Sequence, residues 1–151
     1  MPVDENFDGF EVLVVSPGYL DHAGLAIAGT KAGAAGILDM EFCQPKHLEQ
    51  IRKNLHSLLD LVGPESSPGL RLSCDQLTCP ELREGLDFLI DDLQEHLAAK
   101  ENSKAFWFIL SGFDQAQFDN LQEKLLKVPN SKILVELNHA NELDKISKKS
   151  F

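Results

Sequence analysis

Short, almost wholly apolar runs alternate along this chain with longer segments whose apolar residues recur at helical spacing, and that alternation restricts the fold more than any other feature. A run such as Ala105-Phe106-Trp107-Phe108-Ile109-Leu110 is too short for a helix and hydrophobic on both faces, as a strand covered on both sides must be. A segment such as Leu48, Ile51, Leu55, Leu58, Leu59 and Val62 presents one apolar stripe, which suits a helix lying on a sheet. Strand followed by helix, repeated, requires a parallel sheet with right-handed crossovers.

Five such units can be read. The first strand is expected at Phe10 to Val15, ended by Ser16-Pro17-Gly18. An Ala- and Gly-rich helix follows from His22 to Ala32; its small residues allow close approach to a sheet, and Gly33 closes it in a left-handed conformation. Ile37 to Met40 is the second strand, before the Leu48–Val62 helix. The turn-forming stretch from Gly63 to Gly69 is a surface loop, and Leu70 to Cys74 the third strand. Thr78 with Glu81 matches a capping box, Pro80 fits the first turn, and Leu82, Leu86, Leu89, Leu93 and Leu97 give the third helix its stripe. The fourth strand is Ala105 to Leu110. Asp114 can cap a fourth helix with Phe118, Leu121, Leu125 and Leu126 facing inward. Ile133 to Leu137 is the fifth strand, and Leu143 and Ile146 begin a short last helix.

Two closures satisfy this order. A doubly wound, flavodoxin-like sheet of five strands would be complete within 151 residues and would run 2-1-3-4-5. A TIM-type (β/α) barrel needs about 250 residues, so here it would be partial, with strands in the order 1-2-3-4-5 and three units supplied from elsewhere. In either case residues 1–151 are read as a single α/β domain.

The charge balance narrows the partners. Fourteen basic against 24 acidic residues give a formal net charge of -10, and no Lys/Arg cluster could neutralise a row of phosphates, so nucleic acid is not expected. The first residues lack the basic start and apolar run of a secretory signal, and no run approaches a membrane span, so a cytoplasmic location is expected. Cys43, Cys74 and Cys79 have no metal-ligand spacing and read as reduced, mostly buried thiols.

The stretch Val14-Val15-Ser16-Pro17-Gly18, followed by Leu25-Ala26-Ile27-Ala28-Gly29-Thr30-Lys31-Ala32-Gly33-Ala34-Ala35-Gly36-Ile37-Leu38-Asp39, resembles the opening of the nitronate monooxygenase family of flavin-binding (β/α) barrels. More narrowly, the form with Ser16-Pro17-Gly18 and Leu38-Asp39-Met40-Glu41 looks like the variant at the front of some multidomain polyketide and polyunsaturated fatty-acid synthases. The likeness continues more loosely through Phe108-Ile109-Leu110-Ser111 and Leu134-Val135-Glu136-Leu137. It implies the amino-terminal part of a larger barrel whose intact parent uses FMN to oxidise a nitronate or reduce an enoyl thioester. The family's segment with the catalytic histidine and its later Gly-rich phosphate loops have no counterpart here. The resemblance therefore implies a chain inactive in isolation, whose partners are the rest of the barrel or synthase, or further copies joined at open sheet edges.

What the resemblance would place along one side of a flavin pocket are the carboxyl ends of the strands: Ser16, Pro17, Gly18, Asp39, Glu41, Ser73, Ser111 and Glu136. Pro17-Gly18 would let backbone approach a planar ring, because glycine has no Cβ. Asp39, Glu41 and Glu136 are carboxylates at the mouth that can accept hydrogen bonds or move protons. His22 and His139 lie just past strand ends, whereas His47, His56 and His96 fall on helices as surface residues. Cys74 could act as a nucleophile only beside a basic group, so packing is its expected role. No catalytic residue is identified, no metal site is expected, and no Gly-x-Gly-x-x-Gly, Walker or Gly-x-Ser-x-Gly motif occurs.

Overall fold

A computed structural model describes residues 12–63, 65–100, 105–112, 114–137 and 139. Strands β1 (Leu13–Pro17), β2 (Ala35–Asp39), β3 (Gly69–Ser73), β4 (Phe106–Ser111) and β5 (Ser131–Val135) alternate with helices α1 (Gly24–Lys31), α2 (Leu48–Leu61), α3 (Pro80–Ala98) and α4 (Gln115–Leu125). All neighbouring strands are parallel, and their order across the sheet is β1-β2-β3-β4-β5. That order excludes the flavodoxin-like alternative, which needs β1 inside the sheet. It is the order of one arc of a (β/α) barrel.

Right-handed crossovers between strands laid down in sequence put every helix on the same side. The main core obeys this rule. Ala26 of α1, Ile51, Leu55 and Leu58 of α2, Leu86 and Leu93 of α3, and Phe118, Leu121 and Leu125 of α4 form one cluster with Leu38, Leu70, Leu72, Phe106, Phe108 and Leu110 of the sheet. The strand residues between these point the other way. Ala35, Ile37 and Ile109, with Trp107 against them, form a second, small cluster that contains no helical residue. Among the described residues, the inner face of the arc is thus covered by no helix.

Close approach of α1 to the sheet depends on missing side chains. A Cβ on Gly36 would lie 2.2 Å from the Ala26 carbonyl oxygen, and one on Gly29 would lie 2.6 Å from Val14 Cβ. Gly33 follows the helix with φ +91°, the left-handed conformation expected of it.

Several boundaries and contacts differ from the sequence reading. β1 begins at Leu13, runs on through Pro17, and alternates between exposed and buried residues; Phe10 lies outside the described residues. Both β1 and β5 are at the margins of the sheet, so their faces are only partly covered, and β5 spans Ser131–Val135 with alternating exposure. β4 alone of the three meets the expectation of near-continuous burial. The capping box does not form. Residues Cys74–Thr78 make a 3-10 turn, the Thr78 hydroxyl donates to the Asp75 carbonyl, and α3 starts on Pro80 with Cys79 at its cap. Asp114 does cap α4, accepting from the Gln117 N–H at 3.0 Å. Leu126, expected inward, is 58% exposed because α4 ends at Leu125. The segment carrying Leu143 and Ile146 lies outside the described residues.

Candidate functional site

In parallel sheets the chemistry gathers where strands end, and here that margin is organised by a residue not singled out in the sequence. Arg71 occupies the middle of β3 between two buried leucines, and strand alternation turns its side chain to the inner face. Its register partner on β2 is Asp39. Arg71 Nη1 donates to Asp39 Oδ2 at 3.0 Å and also to Glu41 Oε2. Across β4, Nε and Nη2 donate to Glu136 Oε1 and Oε2 at 3.0 and 2.9 Å. One guanidinium thus gathers three carboxylates contributed by β2, the loop after it, and the residue following β5.

The Glu136 pair is bidentate, the geometry that suits a planar guanidinium best. These hydrogen bonds, that to Glu136 foremost, hold the Arg71 charge more firmly than in an ordinary arginine. One formal positive charge against three negative ones leaves the cluster at -2. Asp39 is further fixed by accepting the Glu41 N–H on Oδ1 at 2.8 Å.

The remaining sequence-chosen residues divide between the two faces. Pro17 pairs with Asp39 by register and shares the inner face. Ser73 and Ser111 are register partners there, with the Ser111 hydroxyl donating to the Leu72 carbonyl at 3.3 Å. Ser16 pairs with Leu38 and points to the helical side, where it is 1% exposed and its hydroxyl has no hydrogen-bond partner. Gly18 is buried, and the space a Cβ would take is bounded by the Asp39 carbonyl oxygen at 3.1 Å and Ile51 at 3.6 Å. Its missing side chain serves packing against β2.

His22 Nδ1 accepts the Gly24 N–H at the start of α1, and His139 is exposed. His47, expected only at the surface, stacks on Tyr19 with ring centroids 5.1 Å apart. Cys74 is buried and its thiol is pushed up chiefly by burial; Cys43 is pushed up to about 12 by burial and by the nearby Asp39 charge. Neither is a nucleophile near neutral pH. Among the described residues, no group of three or more His, Cys, Asp or Glu side chains converges as a metal ion requires.

A cleft lies at the opposite end of the strands. It is half open to solvent, holds about 630 Å³, and is lined by residues including Val12, Ala34, Ser67, Trp107 and Lys132. Lys132 Nζ sits 4.9 Å from the Trp107 ring centre. That end of a parallel sheet carries stability and not chemistry in barrels, so the Arg71 cluster remains the candidate site.

No helix among the described residues is long and apolar enough to cross a membrane. Compared with known proteins, the chain matches no family model, no curated protein and no solved structure.

Proposed function

We propose that this chain is one arc, five successive βα units, of a (β/α) barrel similar to the nitronate monooxygenase family, in the variant carried by polyketide and polyunsaturated fatty-acid synthases. What supports the arc in this reading is the sequential strand order with the helices of the described residues all on one side; the family rests on the sequence resemblance alone. Among the described residues the inner face carries no helix, and such a face is what opposing strands cover in a closed barrel. In this reading the arc provides a wall of the mouth, with Pro17, Asp39, Glu41, Ser111 and Glu136 along it, and complementary βα units provide the rest.

FMN is the cofactor the resemblance implies, and the described residues of this arc do not fit its phosphate. A phosphate needs free N–H donors or an available cation. Arg71 is engaged by three carboxylates, and the Gly18 N–H is held by the Asp39 carbonyl at 2.7 Å. A mouth with formal charge -2 repels a dianion. The phosphate grip therefore belongs to the complementary units, and no catalytic step is assigned to this chain alone.

The test is fluorimetric FMN titration of this chain beside a longer natural chain that contains it. Saturable binding by the longer chain only is the expected result. Saturable binding by the short chain would overturn the division of labour, and none by either would overturn the flavin reading.

A further inference from the structure

The apolar stripe of α2 runs Ile51, Leu55, Leu58 and Leu59, yet one position on that buried side, Asn54, is an amide that is 2% exposed. A buried amide is costly unless its donors and acceptor are all matched. Here a single distant turn matches both donors, and a neighbour on the same helix matches the acceptor. Both Nδ2 hydrogens are used on the loop after β1, donating to the Gly18 carbonyl at 2.8 Å and the Leu20 carbonyl at 2.7 Å. Asn54 Oδ1 accepts from Gln50 Nε2 at 3.2 Å, and the same Gln50 amide reaches the Asp21 carbonyl at 3.2 Å. Three carbonyls of one four-residue turn are therefore held by two side chains one helical turn apart.

The other side of that turn is tied to the ion cluster. The Gly18 N–H donates to the Asp39 carbonyl at 2.7 Å, and the Asp39 carboxylate is bound to Arg71. Tyr19, inside the turn, stacks on His47, which lies just before α2. We infer that Asn54 is a positioning residue for the mouth: from behind the sheet it fixes the β1–α1 turn, and with it Pro17 and Tyr19, relative to the Arg71 carboxylates. A leucine would fill the same stripe and pack as well, but it would leave two turn carbonyls without donors. The inference rests on the proposed reading only in treating the carboxyl ends as a mouth; the hydrogen-bond relay itself does not depend on a flavin.

Native-state amide hydrogen exchange of the 151-residue chain tests it. In Asn54→Leu, exchange at Gly18 should rise about tenfold or more relative to wild type, while Ile37 and Ile109 in the sheet stay within about twofold. The Tyr19 and His47 ring resonances should shift together as the stack loosens. Gln50→Ala, at a partly exposed position, is the milder companion and should raise exchange at Gly18 by a smaller factor with the fold intact. Uniform acceleration of turn and sheet amides would mean that Asn54 acts only on global stability, and an unchanged turn in both variants would equally overturn the inference. Failure of FMN titration leaves these readouts untouched, so the two proposals fail separately.

Discussion

Arg71 and Glu136 meet in a two-toothed ion pair, Nε to Oε1 at 3.0 Å and Nη2 to Oε2 at 2.9 Å, although β4 lies between the strands they extend from. The guanidinium thereby ties β3 to the end of β5, and through Asp39 and Glu41 to the end of β2. Buried pairs are weak sources of net stability, but removing one partner is costly because it leaves like charges unmatched.

Arg71→Leu should for that reason destabilise the chain at neutral pH by about 2 kcal/mol, between the values for exposed and fully buried pairs, since Glu136 remains partly exposed. Three carboxylates would then face one another with no cation between them. Urea denaturation of wild type and variant at neutral pH checks this; a variant as stable as the wild type would contradict it.

The parallel architecture was legible because it rests on pattern: β4 and the stripes of α2 and α3 are long, periodic signals. The cluster was half legible. Asp39, Glu41 and Glu136 could be named from their places after strand ends, but Arg71 could be found only by asking why a charge interrupts Leu70-Arg71-Leu72 in a strand covered on its helical face. Asn54 carried the same kind of signal, a polar residue on an apolar stripe. Ser16 was misplaced to the mouth because strand ends do not announce which face a residue takes until register is known. The Thr78–Glu81 box failed because a short motif is blind to the 3-10 turn that uses the threonine first.

Gly36→Ala should test the close packing of α1. Its Cβ would meet the Ala26 carbonyl oxygen at 2.2 Å and Thr30 Cγ2 at 2.7 Å, so the helix must move off β2. A loss of about 1–3 kcal/mol is expected from such overpacking. Gly63→Ala, where nothing lies within 4 Å of the added carbon, should be near neutral or slightly stabilising through the unfolded chain. Thermal unfolding of the two variants in parallel distinguishes them.

The seam between α2 and α3 should make the fold acid-sensitive. His96 has its pKa lowered from the ordinary 6.5, first by burial and then by the Lys100 charge and His56, against an opposing pull from Asp60. Asp60 Oδ1 lies 3.4 Å from His96 Nε2 without forming a hydrogen bond, and the His56 ring is 6.0 Å away. Asp92, on α3, faces His56 at 3.3 Å and is paired with Arg52. Because the folded state holds the His96 proton less tightly than the unfolded chain, stability is full above the unfolded value and falls as pH drops through about 6.5. His96→Gln should flatten part of that fall. Urea midpoints between about pH 7.5 and 5.5 measure it, and an unchanged slope would exclude His96 as a contributor.

The two margins of the sheet should govern self-association. Among the described residues β1 and β5 each pair on one side only, and Val12, Leu13, Val15 and Leu134 are exposed there. Unpaired strand edges with apolar side chains invite pairing with another copy. The formal charge of -10 on each copy opposes this at low ionic strength, and salt screens that repulsion more than it weakens apolar contact. Sedimentation velocity should therefore show association that rises with both protein and salt concentration. Val15→Lys and Leu134→Lys should suppress it, since a charge at an edge is difficult to bury between strands. Leu61→Lys, more exposed still but on α2, should leave it unchanged. If only Leu61→Lys dispersed the assembly, the contact would lie on the helical layer and the sheet margins would not be the sticky surface.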